Sequence, residues 1–172
     1  MKPSLTDTLC THCGLCCDGS LFADVELASR HEASALEVMG LEIEDADGDD
    51  GGLLLQPCGA LKGKRCSLYV YRPDCCRTFE CRLLQEVKRG AVGVDRAQAK
   101  IAEALQRIER VQKLVVQLGS INERLSLKER CGEALELAEE ATANPKLDRK
   151  RAQLQAAMTS VESLIQETFL GG

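Results

Sequence analysis

Eight residues near the start of the chain, CTHCGLCC, place Cys10, Cys13, Cys16 and Cys17 close together in sequence. Thiols three residues apart converge on one point when the backbone curls as a tight turn or a helix start. That spacing gathers sulfur ligands both in C-x2-C metal knuckles and in C-x2-C-x2-C iron–sulfur loops. A second group follows at Cys58, Cys66, Cys75, Cys76 and Cys81, and Cys131 stands apart. The adjacent pairs Cys16–Cys17 and Cys75–Cys76 carry diverging side chains and make poor disulfides. The opening MKPSLTDTLC has no apolar run of the kind a secretory signal needs, and no stretch reaches membrane-spanning length. The expectation is therefore a cytoplasmic protein without a membrane segment, in which thiols stay reduced and dense cysteine points to metal.

These thiols need a scaffold, and the composition limits what it is made of. Aromatic residues make up 3% of the chain, Trp is absent, and four of the five aromatics (Phe22, Tyr69, Tyr71 and Phe79) fall among the cysteines. A segment of roughly ninety residues with so few large apolar groups buries a modest core, a shortfall that metal coordination offsets. Three segments follow from the pattern: a flexible leader over 1–9, a cysteine-rich metal-binding domain over 10–92, and a helical domain over 93–172. Within the second, 20–26 reads as a short strand, 27–39 as a helix stopped by Gly40, and 42–52 as a flexible acidic loop. Asp45, Asp47 and Asp49 lack the glycine and glutamate of a calcium loop, since Asp50 and Gln56 stand in those places. Lys62–Lys64 reads as a tight turn, 66–71 as a strand, and a helix is predicted from near Asp74 through Val87 to Gly90.

Beyond residue 95 the pattern is helical. Asp95 and Gln98 have the form of an N-cap and its partner. Ile101, Leu105, Ile108, Val111, Val115, Leu118, Ile121 and Leu125 make one apolar stripe, with a break expected between 119 and 132. Asn144–Pro145 opens a further helix carrying Leu147, Leu154, Met158, Val161 and Ile165. The fold class expected is mainly α with minor β: a small irregular cysteine-rich domain, then an antiparallel helical hairpin or three-helix segment. Packing, self-association or a protein partner is the job expected of residues 95–170.

The formal charge of −5 does not suggest a nucleic-acid binder. Its distribution is more informative: 1–61 hold twelve acidic residues against Lys2 and Arg30, while 62–89 hold eight basic residues against Asp74, Glu80 and Glu86. Interleaved with cysteines, these cations favour thiolate over thiol. Arg72 and Arg77 are expected to meet carboxylates or metal-bound sulfur. His12 is expected beside the cluster rather than in it, and His31 on the surface.

The stretches CTHCGLCC (10–17), QPC (56–58) and CSLYVYRPDCCRTFEC (66–81) together resemble the YkgJ-type cysteine-cluster family, described as zinc- or iron-chelating proteins. The resemblance covers roughly residues 10–90. It implies Cys10, Cys13, Cys16, Cys17, Cys58, Cys66, Cys76 and Cys81 as metal ligands and leaves Cys75 as an extra. Flagellin lysine N-methylases carry a related cluster, but nothing here corresponds to their larger additional region.

Eight such cysteines are too many for one four-coordinate ion. They suit two tetrathiolate sites or one cluster with spare thiols, and the cofactor is either zinc or a [4Fe–4S] cluster. No dinucleotide fingerprint, P-loop, HExxH motif or Ser/His/Asp set is present. Two functions remain: a structural or accessory metal-binding protein, or an iron–sulfur-dependent redox or group-transfer enzyme.

Overall fold

The structure, a computed structural model, describes residues 4–46, 51–140 and 144–171. It is mainly α with minor β, 60% helix against 8% strand. Asp47, Asp49 and Asp50 of the acidic loop lie outside the described residues. No helix among the described residues is long and apolar enough to cross a membrane.

The first nine residues do not form a leader throughout, because α1 spans Leu5–Cys13. Ser4 caps it: its Oγ accepts from the Asp7 amide, and the Asp7 carboxylate accepts from the Ser4 amide, so two otherwise unpaired donors are satisfied. Leu9 on this helix is buried. β1 (Asp24–Glu26), α2 (Arg30–Val38) and β2 (Ile43–Glu44) come next, followed by β3 (Leu53–Leu55). β3 is the centre of an antiparallel sheet of order β1-β3-β2, with Val25 and Ile43 both opposite Leu54. A small core of Leu27, Ala33, Leu36, Leu41, Leu54 and Ala60 lies between this sheet and α2.

A hairpin of β4 (Leu61–Lys62) and β5 (Arg65–Cys66) follows, turning at 63–64 as expected. The strand expected over 66–71 stops at Cys66. The Ser67 amide and hydroxyl both bond to the Ala60 carbonyl, each at 2.8 Å, and Tyr69–Tyr71 then closes as a 3-10 turn. The helix expected from Asp74 through Val87 is two helices, α3 (Asp74–Thr78) and α4 (Arg82–Lys88). Cys, Thr and Phe are weak helix formers, and tertiary contact decides the outcome. Phe79 is extended and sets its ring edge-on to Phe22, centroids 5.2 Å apart.

α5 (Val94–Gln117), α6 (Leu127–Glu140) and α7 (Pro145–Ile165) pack pairwise as a three-helix arrangement. The N-cap of α5 is Gly93, one position before the helix begins, so the expected Asp95 cap falls inside the helix. Asn144 caps α7 by accepting from the Lys146 amide. Most of the predicted stripe is buried, including Ile101, Ile108, Val111 and Val115, but Ile121 lies past the helix end and is exposed. The larger core does not stop at residue 92. Leu9, Leu15, Leu83, Leu84 and Val87 join Ile101, Leu154, Val161 and Phe169 in one cluster.

Candidate metal centre

Cys10 and Cys13 sit on the last turn of α1, three residues apart. The helix ends at Gly14, whose φ of +76° belongs to the left-handed region that glycine enters without strain. From there the chain reverses tightly: the Cys17 and Asp18 amides both donate to the Gly14 carbonyl, at 2.9 and 3.1 Å. Leu15, fully buried, anchors the turn, while Cys16 and Cys17 beside it are half-buried. Gly19, also left-handed at φ +79°, sits where a Cβ would come within 3.1 Å of the Ser126 Cα and 3.2 Å of the Pro57 ring. Its carbonyl accepts from the Leu127 amide at 3.0 Å, tying the cysteine turn to the start of α6.

The remaining thiols come from four other places. Cys58 is held against the turn by its amide, which donates to the Cys17 carbonyl at 2.8 Å. Cys66 ends β5 opposite Leu61, and the Leu61 amide bonds back to the Cys58 carbonyl at 2.9 Å, so the hairpin brings Cys66 towards Cys58. Cys75 and Cys76 lie on α3 with their Sγ atoms 4.0 Å apart. Cys81 is the N-cap of α4, its Sγ accepting from the Leu84 amide at 3.5 Å, and α4 packs on α1. Splitting the expected helix is what places Cys81 here.

All eight residues singled out from the sequence (Cys10, Cys13, Cys16, Cys17, Cys58, Cys66, Cys76 and Cys81), and Cys75 with them, line one cavity of about 410 Å³. Each is free and half-buried. Among the described residues no three His, Cys, Asp or Glu side chains are already drawn together to hold a single ion, while nine cysteines line the cavity. Cys131 is elsewhere, buried in the larger core with its Sγ 3.7 Å from the Met158 sulfur.

Burial sets the protonation of these groups. Desolvation raises Cys13 and Cys17 from the ordinary 9.0 to about 12, with smaller contributions from neighbouring thiols. It raises Cys16 further, and Cys13, Cys17, Cys81 and Cys10 add to the effect by Coulombic repulsion. Cys10, Cys58 and Cys81 are raised by the same cause. Cys76 is raised first by its hydrogen bond with Cys75, which lowers Cys75 in turn. Without a cation Cys10, Cys13, Cys16, Cys17, Cys58 and Cys81 are therefore protonated at neutral pH, and a metal bound by them displaces their protons.

Cations stand around the opening. Lys64, Arg65, Arg72 and Arg77 line it together with Tyr69 and Tyr71. Arg77 pairs with Asp74 at 3.2 Å. Arg72 takes neither a carboxylate nor a sulfur: its Nε donates to the Tyr69 carbonyl at 3.0 Å and its guanidinium lies 3.7 Å over the Tyr69 ring. His12 is exposed, beside the Thr11 hydroxyl at 3.2 Å, and His31 is exposed on α2.

One polar residue of the cavity was not singled out for a role. Gln56 is 3% exposed, lines the cavity, and its Oε1 has no hydrogen-bond partner. A buried amide oxygen without a donor is costly. Its only sequence signal was its place before Pro57 and Cys58. A half-turn of the amide would present N–H donors to sulfur instead.

The donor set fits a thiolate-bound metal. It is all sulfur, half-buried, drawn from a tight turn plus four remote places in the chain, and has a buried amide and four cations around it. Soft thiolates select zinc and iron–sulfur centres over the hard cations that carboxylates favour.

A family model agrees with this chemistry. The CxxCxxCC model, described as a putative zinc- or iron-chelating domain, matches residues 9–119, from α1 through the end of α5. No curated protein and no solved structure matches the chain.

Proposed function

The chain belongs to the CxxCxxCC family of zinc- or iron-chelating domains, and from that premise we propose that its cavity holds iron as an iron–sulfur centre in an accessory or electron-carrying role. The observation carrying this reading is the gathering of nine free thiols on one cavity. Around a single tetrahedral ion, sulfurs bonded at about 2.3 Å lie only about 3.8 Å from one another. A cluster holds several irons and keeps its cysteine sulfurs further apart, and the cavity that the thiols line has a volume of about 410 Å³. Three ligands from a tight C-x2-C-x2-C turn and a remote fourth is also a common cluster arrangement.

When bound, such a centre supplies one-electron chemistry or a Lewis-acidic iron. The chain's own residues bind and shield it. Leu9 and Leu83, both buried, line the cavity, and the Leu84 amide donates to the Cys81 sulfur, favouring thiolate there. Arg72, held by Tyr69, and Arg77, held by Asp74, keep positive charge at the opening, where it offsets the negative charge of a metal–thiolate centre.

The second reading is a zinc protein in which coordination serves only to hold the fold. The short strands around the second core favour it, since two- and three-residue strands give little stability alone. Anaerobic purification with metal and acid-labile sulfide analysis separates the two. The iron–sulfur reading expects brown protein with broad visible absorption and iron matched by sulfide. Colourless protein with stoichiometric zinc overturns it in favour of the structural role.

A further inference from the structure

We propose that the exposed turn Tyr69–Tyr71 and the basic hairpin residues Lys62, Lys64 and Arg65 form a docking surface for an acidic protein partner, which sits over the cysteine cavity. The proposal stands on exposure and charge and does not depend on which metal the cavity holds.

Large apolar groups are scarce in this chain, with Tyr 2, Phe 3 and Trp 0 among 172 residues. Both tyrosines stand exposed, Tyr69 at 41% and Tyr71 at 65%, with Val70 between them at 78%. One exposed apolar side chain is ordinary, but three in succession make a patch. The turn is fixed at both feet. The Tyr71 amide donates to the Leu68 carbonyl at 2.8 Å, Leu68 packs on the smaller core, and Pro73 is buried. Arg72 adds a clamp by stacking its guanidinium on the Tyr69 ring. A partner therefore meets side chains already held in place, and ordering them on binding costs little entropy.

The charge beside the turn says what the partner carries. β4 and β5 set Lys62 directly opposite Arg65, and Lys64 lies in the turn that joins them. Like charges directly opposite one another destabilise a hairpin. Among the described residues none of these three cations forms an ion pair with a carboxylate. Acidic side chains on a partner relieve that repulsion. Lys64, Arg65, Tyr69 and Tyr71 all line the cavity, so the cations and the turn share one region of the surface. Aromatic side chains beside a charged rim have the anatomy of a protein interface.

Single-stranded nucleic acid also uses tyrosines and cations, but it needs positive charge along a groove. The surroundings here are acidic instead. Asp7 and Glu80 line the same cavity, and residues 1–61 hold twelve acidic residues against Lys2 and Arg30. A second copy has carboxylates in 1–61, yet that contact is not self-complementary and propagates chains instead of closing a dimer.

The test places a photo-crosslinking amino acid at Val70 of the full-length protein in its own cells, with Ile121, 79% exposed past the end of α5, as the control position. The expected result is a protein captured from position 70 and not from 121, cross-linked through a peptide rich in Asp and Glu. With that protein purified, Val70→Glu and Lys62→Glu should each raise Kd by about tenfold, and raising salt from about 50 to about 200 mM should weaken the wild-type pair. Neither Val70 nor Lys62 lines the cavity, so metal content and circular dichroism should stay at wild-type values. Cross-links to nucleic acid, to a second copy, or no more than the control overturn the proposal, as does an affinity that both substitutions leave unchanged. Wild-type protein that carries no metal yet captures the acidic partner overturns the metal reading and leaves the docking surface standing.

Discussion

α5 and α7 run for 24 and 21 residues, and between them they bury Ala97, Ile101, Ala104, Ile108, Val111, Leu154 and Val161. Around the cysteines the longest strand has three residues, and the core beneath it is built from six buried side chains, two of them alanines. The helical part is stabilised mostly by apolar burial, at about 25 cal/mol per Å² of surface removed from water. The cysteine-bearing part has too little such surface, and its polar turns hold it in place only locally. The difference teaches where a bound cation would matter: not for whether the helices pack, but for whether 15–81 keeps the shape seen here. The join between the parts is apolar as well, because Leu9, Leu15, Leu83 and Leu84 enter the larger core.

Stripping the metal should break the comparison most strongly. Structural metal sites contribute apparent binding energies of about 10–16 kcal/mol in small thiolate peptides, and that energy is folding energy where no core replaces it. A chelator under reducing conditions should make the amides of 16–28 and 53–81 exchange quickly while those of α5 and α7 stay protected. Hydrogen exchange read by mass spectrometry checks this. Uniform protection before and after chelation would mean that the smaller core holds itself together.

Phe169→Ala attacks the other side. Phe169 is 1% exposed in the larger core, and truncating a buried Phe costs about 3–5 kcal/mol. Thermal melting should fall for the helices, with metal content per folded chain unchanged. Metal loss in parallel with the melting shift would show that the two parts do not separate.

Gly14→Ala should have an intermediate effect, confined to the cysteine side. An alanine is strained at φ +76°, and its Cβ would lie 3.3 Å from the Lys64 Cα. Strain of this kind is of order 1–3 kcal/mol. The expected result is weaker metal retention in a competition titration, with the melting of α5–α7 nearly unaltered.

Much of this division could be read from residue types. The stripe of Ile101, Ile108, Val111 and Val115 carries its own period, and Asn144–Pro145 marks the start of α7, so the helices were legible from local pattern. The thiols were legible as a set because Cys spacing is conspicuous. Their meeting in one cavity depends on long-range pairings, such as the Cys58 amide on the Cys17 carbonyl, for which one sequence holds no signal. The break between α3 and α4 was hidden for the same reason. Phe79 leaves the helix to meet Phe22, more than fifty positions away in the chain. Gln56 was hidden because an amide beside a proline looks like any turn residue until its burial is known.

The smallest effect expected is at Cys131, and it sharpens the contrast because this cysteine belongs to the helical part. It is 4% exposed and packed on Met158. Cys131→Ala should cost about 1 kcal/mol, the scale of one small buried group, and should leave metal content at the wild-type level. Burial raises its thiol from the ordinary 9.0 to about 11. A raised folded-state value means the neutral thiol is the form the fold favours. Its contribution is therefore complete below about pH 9 and is lost as pH rises towards about 11, where the unfolded chain ionises more readily than the folded one. The stability gap between wild type and Cys131→Ala should accordingly narrow between pH 8.5 and about 10.5. Denaturant melts of both proteins at the two pH values measure it, the other nine thiols being common to both. A gap that stays constant would mean that Cys131 reaches solvent in the native state, and rapid alkylation of the native protein at Cys131 would say the same.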